Sequence, residues 1–343
     1  MWRRSRIWVT ALAGTVVPGV LALLVGASPP SGADAHRPTP PVAATGSHRP
    51  GATVRPHTIF GSGYDMVGSD GGVFVFPTGN PLIVGGFFGS LPQLGVTVQN
   101  VVGITPTTNF GGYDLVGSDG GVFVFPAGRS AGFHGSLPGL GVTTNDIVGI
   151  VPTNNGGGYD LVGRDGGVFV FPVGQTGGFY GSPPQENIHV DDIAGIAATP
   201  DDKGYWLLGA DGTVYAFGDA QNFGDNLDYC AGKGGLYTCI QKIPGARFVG
   251  IASTPDGKGY WLATAGGQVL NLGDAPALGQ VTGVYVNDIV SVVPTADGTG
   301  YWLVASDGGI FAFGSAGFIG SLPGLGLHVD TVVGAVPTVW MQP

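Results

Sequence analysis

A fifteen-residue segment occurs three times in this chain with almost no change, and this repetition limits the possible folds more than any other feature. The copies are GYDMVGSDGGVFVFP at Gly63–Pro77, GYDLVGSDGGVFVFP at Gly112–Pro126 and GYDLVGRDGGVFVFP at Gly158–Pro172. When every Gly-Tyr pair that precedes an apolar run is aligned, six units appear, with 41 to 55 residues between successive tyrosines: Tyr64, Tyr113, Tyr159, Tyr205, Tyr260 and Tyr301. A period of this length is typical of β-propeller blades.

Each unit predicts four short strands. In the unit around Tyr159 these are Asp146–Pro152, Gly158–Gly163, Gly167–Pro172 and Gly177–Ser182. The Asp-Gly pairs between the second and third strands predict tight hairpin turns, because Asp tolerates a positive φ and Gly prefers it. The motif SDGG is therefore interpreted first as a turn.

The two ends of the array predict how it closes. The first unit lacks an inner strand before Tyr64, whereas VVGAVPT at Val332–Thr338 has no unit after it. We therefore expect an all-β fold over residues 58–343, a six-bladed β-propeller of four-stranded blades with the ring closed by the C-terminal strand. The alternative strand for the first blade is TVRPHTIF at Thr53–Phe60, although Pro56 is unfavourable in a central strand.

The last unit contains GYWLVASDGGIFAFG at Gly300–Gly314. This segment resembles a glycine-rich repeat of secreted bacterial proteins that is considered propeller-like. The resemblance covers nearly all of residues 60–338. It implies a propeller-like architecture and export, and it carries no catalytic residues.

The N-terminus has the pattern of a secretory signal. Three of the first six residues are Arg, Ile7–Ala27 is largely apolar, and ADA at Ala33–Ala35 is a small-x-small cleavage site. We expect residues 1–35 to be a signal peptide and 36–57 a Pro/Thr-rich linker; an uncleaved membrane anchor is the alternative. No second apolar run of spanning length follows, so the mature protein is predicted to be a secreted or cell-surface monomer.

The composition excludes several classes of protein. The chain has 66 Gly and 26 Pro in 343 residues without a Gly-X-Y period, and 43% of its residues are hydrophobic, which excludes collagen and argues against disorder. It contains 22 Asp but only one Glu, as expected for a chain rich in turns. Its formal net charge of −10 argues against nucleic acid as a partner, because few Lys or Arg remain to bind phosphates.

The residues just before the six inner strands form the candidate ligand site, since in a propeller they would surround one mouth of the central channel. The residues at this position are Asn100, Asp146, Asp192, Arg247, Asp288 and Thr331. The first five are predicted to bind a ligand, which would be either a sugar, through its hydroxyl groups, or a basic peptide. The three carboxylates Asp146, Asp192 and Asp288 are a candidate Ca²⁺ site, because Ca²⁺ prefers oxygen ligands. The alternative is that each side chain caps its own loop.

Two further features involve single residue types. Cys230 and Cys239 lie in the longest unit, within DYCAGKGGLYTC, and in an exported protein a pair this close predicts a local disulfide.

The residue after the repeat Tyr is Asp in the first three units and Trp in the last three: Asp65, Asp114, Asp160, Trp206, Trp261 and Trp302. A buried Asp must be hydrogen-bonded or partly solvated, because a buried unpaired carboxylate is costly, so this exchange separates a polar half of the units from an aromatic half.

The sequence contains no H-E-x-x-H motif and no P-loop. One G-x-S-x-G match, GRSAG at Gly128–Gly132, is present, but no strand followed by a helix is predicted around it, as a nucleophile elbow requires. We therefore expect a non-catalytic binding or structural module, with a glycan or cell-envelope polymer as ligand, or else a protein partner. The alternative is a saccharide-directed hydrolase or lyase with its site at the channel mouth, where Asp146 and Asp192 would supply the two carboxylates. Ca²⁺ is the only cofactor that the sequence suggests.

Overall fold

The strands follow the repeat. A computed structural model of the chain describes residues 60–76, 87–107, 112–126, 133–153, 158–172, 178–227 and 242–339. Within these ranges the chain forms eighteen β-strands: β1 (Phe60–Gly68), β2 (Val73–Phe76), β3 (Val101–Pro106), β4 (Gly112–Gly117), β5 (Val122–Pro126), β6 (Ile147–Pro152), β7 (Gly158–Gly163), β8 (Val168–Pro172), β9 (Ile193–Ala198), β10 (Gly204–Gly209), β11 (Val214–Gly218), β12 (Phe248–Ser253), β13 (Gly259–Thr264), β14 (Val269–Gly273), β15 (Ile289–Pro294), β16 (Gly300–Ala305), β17 (Ile310–Gly314) and β18 (Val332–Val339).

The strands pair into six antiparallel sheets of three, which we number from 1 to 6 along the chain. Sheet 1 has the order β18-β1-β2, and sheets 2 to 6 each contain three consecutive strands, from β3-β4-β5 to β15-β16-β17. The C-terminal strand β18 is therefore the inner strand of the first sheet, where Tyr64 lies opposite Pro337 and Asp65 opposite Val336. In each of sheets 2 to 6 every residue of the middle strand is buried, because neighbouring sheets cover both of its faces.

The predicted fold class is wrong in two respects. Among the described residues, the blade-like sheets have three strands instead of four, and the strands form six separate sheets with no closed ring of paired strands. Residues 178–182, which lie in the predicted fourth strand, form no strand. The reason is that Gly181 has a φ of 131° and its carbonyl accepts a hydrogen bond from the Tyr205 hydroxyl of the next sheet. A tyrosine side chain thus occupies a backbone group that a fourth strand would need for pairing.

The Asp-Gly hairpins have part of the predicted turn chemistry, since the Gly has a positive φ and the Asp does not. In sheet 2 the Asp119 Oδ1 accepts a hydrogen bond of 3.0 Å from the Gly121 N–H, and Gly120 has a φ of 74°. A Cβ atom on Gly120 would lie 2.5 Å from Cδ1 of Leu137, which is buried. Only glycine therefore satisfies both the backbone conformation and the packing at this position.

Neighbouring sheets contact each other through their inner strands β3, β6, β9, β12, β15 and β18, and β18 contacts both β3 and β15. Glycines allow the close approach, since a Cβ atom on Gly103 would lie 3.3 Å from Cγ2 of Ile150 in the next sheet. Single backbone hydrogen bonds also join neighbours, such as the one of 3.1 Å from the Ile147 N–H to the Ser118 carbonyl.

Each repeat tyrosine links its sheet to the segment that precedes that sheet. The Tyr159 hydroxyl donates a hydrogen bond to the Gly135 carbonyl and accepts one of 3.3 Å from the His134 N–H. The hydroxyl donates in the same way to a glycine carbonyl in all six units: Tyr64 to Gly320, Tyr113 to Gly89, Tyr159 to Gly135, Tyr205 to Gly181, Tyr260 to Gly224 and Tyr301 to Gly279. Side chains distant in sequence therefore fix every one of these segments.

The six interfaces between sheets are of two kinds. At three of them a buried Trp packs on the tyrosine of the next sheet, with ring centroids 5.6 Å apart for Trp206 and Tyr260. Each Trp also donates its Nε1–H to a backbone carbonyl, as Trp206 does to Gln221 at 2.8 Å. At the other three interfaces the equivalent residue is Asp65, Asp114 or Asp160. The change from Asp to Trp along the sequence therefore corresponds to two kinds of interface, three with a buried carboxyl group and three with a buried indole ring.

Replacement of Tyr159 by Phe tests the hydroxyl links. We expect the free energy of unfolding to fall by about 1–3 kcal/mol, because the Gly135 carbonyl loses its donor in a partly buried place. Denaturant unfolding of the two proteins measures the change. Tyr285→Phe is the control, since Tyr285 is 89% exposed and its loss of hydroxyl should change stability little. Equal effects of the two substitutions would contradict a structural role for the Tyr159 hydroxyl.

The predicted signal peptide (residues 1–35) and linker (36–57) lie outside the described residues, and their boundaries stay predictions. All described residues belong to one compact unit, Pro56–Pro343. In the described part of the chain, no helix has the length and apolar character needed to cross a membrane.

Candidate ligand-binding site

The six predicted mouth residues occupy equivalent places in the structure. Each one precedes an inner strand and accepts a backbone hydrogen bond from the residue after the middle strand, as the Asp146 carbonyl does from the Arg164 N–H at 2.8 Å. The same bond recurs at every position: Asn100, Asp146, Asp192, Arg247, Asp288 and Thr331. The backbone is therefore constant while the side chain varies, so these residues share one geometry and differ in charge and hydrogen-bonding capacity.

The side chains at this position lie beside the hairpin glycines. A Cβ atom on Gly117 would lie 3.0 Å from the amide nitrogen of Asn100, and one on Gly209 would lie 3.6 Å from the carboxylate of Asp192. The Asp146 Oδ1 accepts a hydrogen bond from the Thr144 hydroxyl. Asp146 is half-buried and Arg247 is exposed. Ligand binding by these residues stays a prediction.

The structure does not bring Asp146, Asp192 and Asp288 together as a metal site. Among the described residues, no group of three or more His, Cys, Asp or Glu side chains is arranged to hold a metal ion. The geometry thus adds no support to the Ca²⁺ prediction. Cys230 and Cys239 lie outside the described residues, so the disulfide also stays a prediction.

A cavity of about 400 Å³ is lined by the inner strands of all six sheets. Its walls consist of Gly, Ala, Val, Ile, Pro, Thr and Ser, from Gly103 in sheet 2 to Pro337 in sheet 1. Among the described residues, no Asp, Glu, His, Cys, Lys or Arg lines it. The described lining therefore adds no support to the hydrolase or lyase alternative, which names the mouth residues Asp146 and Asp192.

Exposed phenylalanines form a second candidate surface, which the sequence analysis missed. They are Phe318 in the segment after sheet 6 and Phe87, Phe133 and Phe179 in the segments after sheets 1, 2 and 3, with 46–64% of each residue exposed. Each belongs to a G-F-x-G-S motif that was interpreted as the fourth strand. The sequence shows a Phe at the same position of this motif in four units, but a Phe that recurs in this way is equally compatible with a β-strand.

We call the residues Phe87–Ser90, Phe133–Ser136, Phe179–Ser182 and Phe318–Ser321 the Phe segments. The repeat tyrosines at the sheet interfaces hold the Phe segments in place. After Phe133, the His134 N–H donates to the Tyr159 hydroxyl, and the Tyr159 hydroxyl donates to the Gly135 carbonyl. The same pair of bonds holds Phe88 and Gly89 to Tyr113, and Tyr180 and Gly181 to Tyr205. Consecutive sheets therefore present exposed rings on equivalent, fixed backbones.

The carboxyl groups at the Asp interfaces are almost completely buried, with 3–5% of each residue exposed. Burial is the main cause that raises the pKa of Asp65, Asp114 and Asp160 to about 7. A hydrogen bond from Thr338 opposes this rise in the pKa of Asp65, and the charge of Asp202 adds to it in the pKa of Asp160. These groups therefore change their charge near neutral pH.

Comparisons with known proteins assign this chain to no family. No protein-family model matches the chain, and no curated protein matches it. Among solved structures, the chain is similar to the β-propeller domain of Cps50 (Swd1) from Myceliophteria thermophila, with a TM-score of 0.41 and 12% sequence identity. The similarity covers 63% of this chain and 65% of that chain, which is less than two thirds of the neighbour's length.

Proposed function

We propose that this protein is a non-catalytic binding or structural module, secreted or held at the cell surface, whose ligand is a glycan or another polymer of the cell envelope. The row of exposed Phe residues carries the proposal: Phe318, Phe87, Phe133 and Phe179 lie in four consecutive units at equivalent positions. The apolar C–H face of a sugar ring packs well on an aromatic ring, and exposed apolar side chains in an ordered arrangement mark interaction surfaces.

The repetition favours a polymer over a small ligand. Four equivalent rings on one rigid scaffold bind four successive parts of a chain, and each contact raises the effective concentration of the next. The segments 87–99, 133–145 and 315–328 contain no Asp, Glu, Lys or Arg, and the segment 179–190 contains one such residue, Glu186. This low charge supports a neutral polysaccharide as the ligand. The mouth residues Asn100, Asp146, Asp192, Arg247 and Asp288 are proposed as a second surface for its hydroxyl groups.

Removal of three rings tests this proposal. The triple variant Phe87→Ser, Phe133→Ser, Phe179→Ser is expected to weaken binding to an insoluble glycan at least about tenfold, since each aromatic contact contributes about 0.5–1.5 kcal/mol. Pull-down on cellulose, chitin and peptidoglycan, with depletion curves for the wild type and the variant, measures the change.

The matched control replaces three exposed leucines, Leu94→Ser, Leu140→Ser and Leu325→Ser, which are 55–66% exposed. It removes apolar surface without removing a ring, and it should bind as the wild type does. Equal losses in both triple variants would contradict a role for the rings. Product release from any of the glycans by the wild type, lost in Asp192→Ala, would contradict the non-catalytic assignment.

A further inference from the structure

Three buried carboxyl groups lie at the same register position in sheets 1, 2 and 3. Asp114 shares a strand face with Val116, and Val116 packs against Tyr159 and Leu161 of the next sheet. By the same register Asp65 faces sheet 2 and Asp160 faces sheet 4. In sheets 4, 5 and 6 the position holds Trp. Half of the interfaces between sheets therefore carry a titratable group where the other half carry an indole ring.

The carboxyl groups lack the partners that a buried charge requires. Oδ1 of Asp114 and Oδ1 of Asp160 have no hydrogen-bond partner among the residues that the structure describes. Oδ1 of Asp65 accepts one hydrogen bond of 2.8 Å from the Thr338 hydroxyl. A carboxylate that ionises in such a place must gain a donor or a water molecule, and both need space between the sheets.

The carboxyls lie next to the tyrosines that hold the Phe segments. The charge of Asp65 acts on Tyr113, that of Asp114 on Tyr159 and that of Asp160 on Tyr205. These tyrosines hold the segments of Phe87, Phe133 and Phe179. The fourth segment, that of Phe318, is held by Tyr64, which packs on Trp302 with ring centroids 5.3 Å apart. Each of the first three rings is thus paired with one carboxyl, and the fourth is not.

We infer that proton binding at Asp65, Asp114 and Asp160 controls how firmly the segments of Phe87, Phe133 and Phe179 are held, so that the Phe row binds its polymer more tightly as the pH falls. The claim that pH changes polymer binding rests on the proposed function, whereas the claim that the carboxyl groups control how firmly the Phe segments are held does not. Ionisation places a charge beside the tyrosine, the sheets separate to admit water, and the hydroxyl no longer holds the segment. If the tyrosine holds a Phe segment in its binding conformation for only a fraction of the time, the apparent affinity for the polymer falls to that fraction of its full value.

Other titratable groups face these sites. His134 packs on Tyr159 with ring centroids 5.6 Å apart, and burial lowers its pKa, which favours the neutral imidazole. The charge of Asp202 acts on Asp160, and the charges of Asp160, Asp201, Asp202 and Asp219 all act on Tyr180. Asp65 faces Tyr113 and Thr338, and Asp114 faces Tyr159. The Asp114 site therefore has the simplest surroundings once His134 is neutral.

Amide hydrogen exchange tests the inference without a ligand. The amides of Phe88, His134 and Tyr180 donate to the three tyrosines beside Asp, whereas the Gly320 amide donates to Tyr64 beside Trp302. From about pH 6 to about pH 8, the protection factors of the first three, corrected for the intrinsic exchange rate, should fall about tenfold. The protection of Gly320 should stay constant.

Asparagine variants assign the effect to single carboxyls. Asp114→Asn should abolish the pH response of the His134 amide and leave that of the Phe88 amide unchanged, because Phe88 is held by Tyr113 beside Asp65. The triple variant Asp65→Asn, Asp114→Asn, Asp160→Asn should abolish all three responses. If the triple variant does not fold, Asp114→Asn alone decides. A response of the His134 amide that persists in Asp114→Asn, or an equal response at Gly320, overturns the inference.

Binding to the glycan found by pull-down is then measured at the same two pH values. Tighter binding at the lower pH, lost in the triple Asn variant, supports the inference. Binding that is equal at both pH values while the amides respond overturns the regulatory part alone. Amides that respond in a protein that binds no polymer contradict the proposed function and leave the carboxyl switch standing.

Discussion

Deletion of residues 332–343 is expected to unfold the protein. These residues contain β18, the inner strand of sheet 1, which pairs with β1 and contacts the inner strands of sheets 2 and 6. Its removal leaves the buried strand β1 without a partner on one side and exposes the interfaces on both sides of sheet 1. The loss includes fully buried Val332 and the Thr338–Asp65 hydrogen bond. We expect the cost to approach the whole stability of a domain, about 5–15 kcal/mol.

Circular dichroism with thermal and denaturant melts measures this loss. The matched control ends the chain after Val339, which removes residues 340–343 and keeps β18. It should melt as the full chain does. A shorter chain ending at Thr331 that still melts cooperatively near the temperature of the full chain would show that sheet 1 is stable with two strands, against the pairing described above.

The second large effect is a fall in stability as the pH rises from about 6 to about 8. The pKa of Asp65, Asp114 and Asp160 is raised from 3.8 to about 7 in the folded protein. Their contribution to stability is therefore fully present below the unfolded pKa and is lost as the pH rises through about 7. Each group lowers the free energy of unfolding by about 1.4 kcal/mol between about pH 6 and 8, and the three together by up to about 4 kcal/mol.

His134 acts in the opposite direction. Its pKa is lowered on folding, so its contribution is present above the unfolded pKa and is lost as the pH falls. As a single group it reduces the net effect of the three carboxyls without reversing it. Denaturant unfolding in a series of buffers of equal ionic strength gives the profile.

The triple Asn variant should remove most of this pH dependence and be more stable than the wild type at about pH 8, since no charge is then buried at the interfaces. The control variant carries Asp256→Asn and Asp297→Asn. These carboxyls are exposed and the pKa of each is lowered, so both stay ionised across the range and the wild-type profile should persist. A flat wild-type profile would show that the Asp interfaces are hydrated in solution.

Much of the local structure could be predicted from the sequence. The strand predicted at Gly158–Gly163 has those bounds in the structure, and the Gly of each Asp-Gly turn has the predicted positive φ, although the Asp does not. These features depend on residues within a few positions of one another. The position of β18 beside β1 was also accessible, because only a missing partner explains a single extra copy of the inner strand.

The sequence alone determined six units, three of the four strands predicted in each and the position of their turns, because period, alternation and turn chemistry are local. The tertiary structure decided what lies between the units. G-F-x-G-S is no strand because a tyrosine 24 residues later takes the carbonyl of Gly135 and leaves Phe133 exposed. Asp114 and Trp261 occupy the same position in the repeat, but only the packing of one sheet on the next shows that the carboxyl is buried beside Tyr159 without a partner for Oδ1 among the described residues. Burial and pKa depend on residues that are distant along the chain, and no local pattern records them.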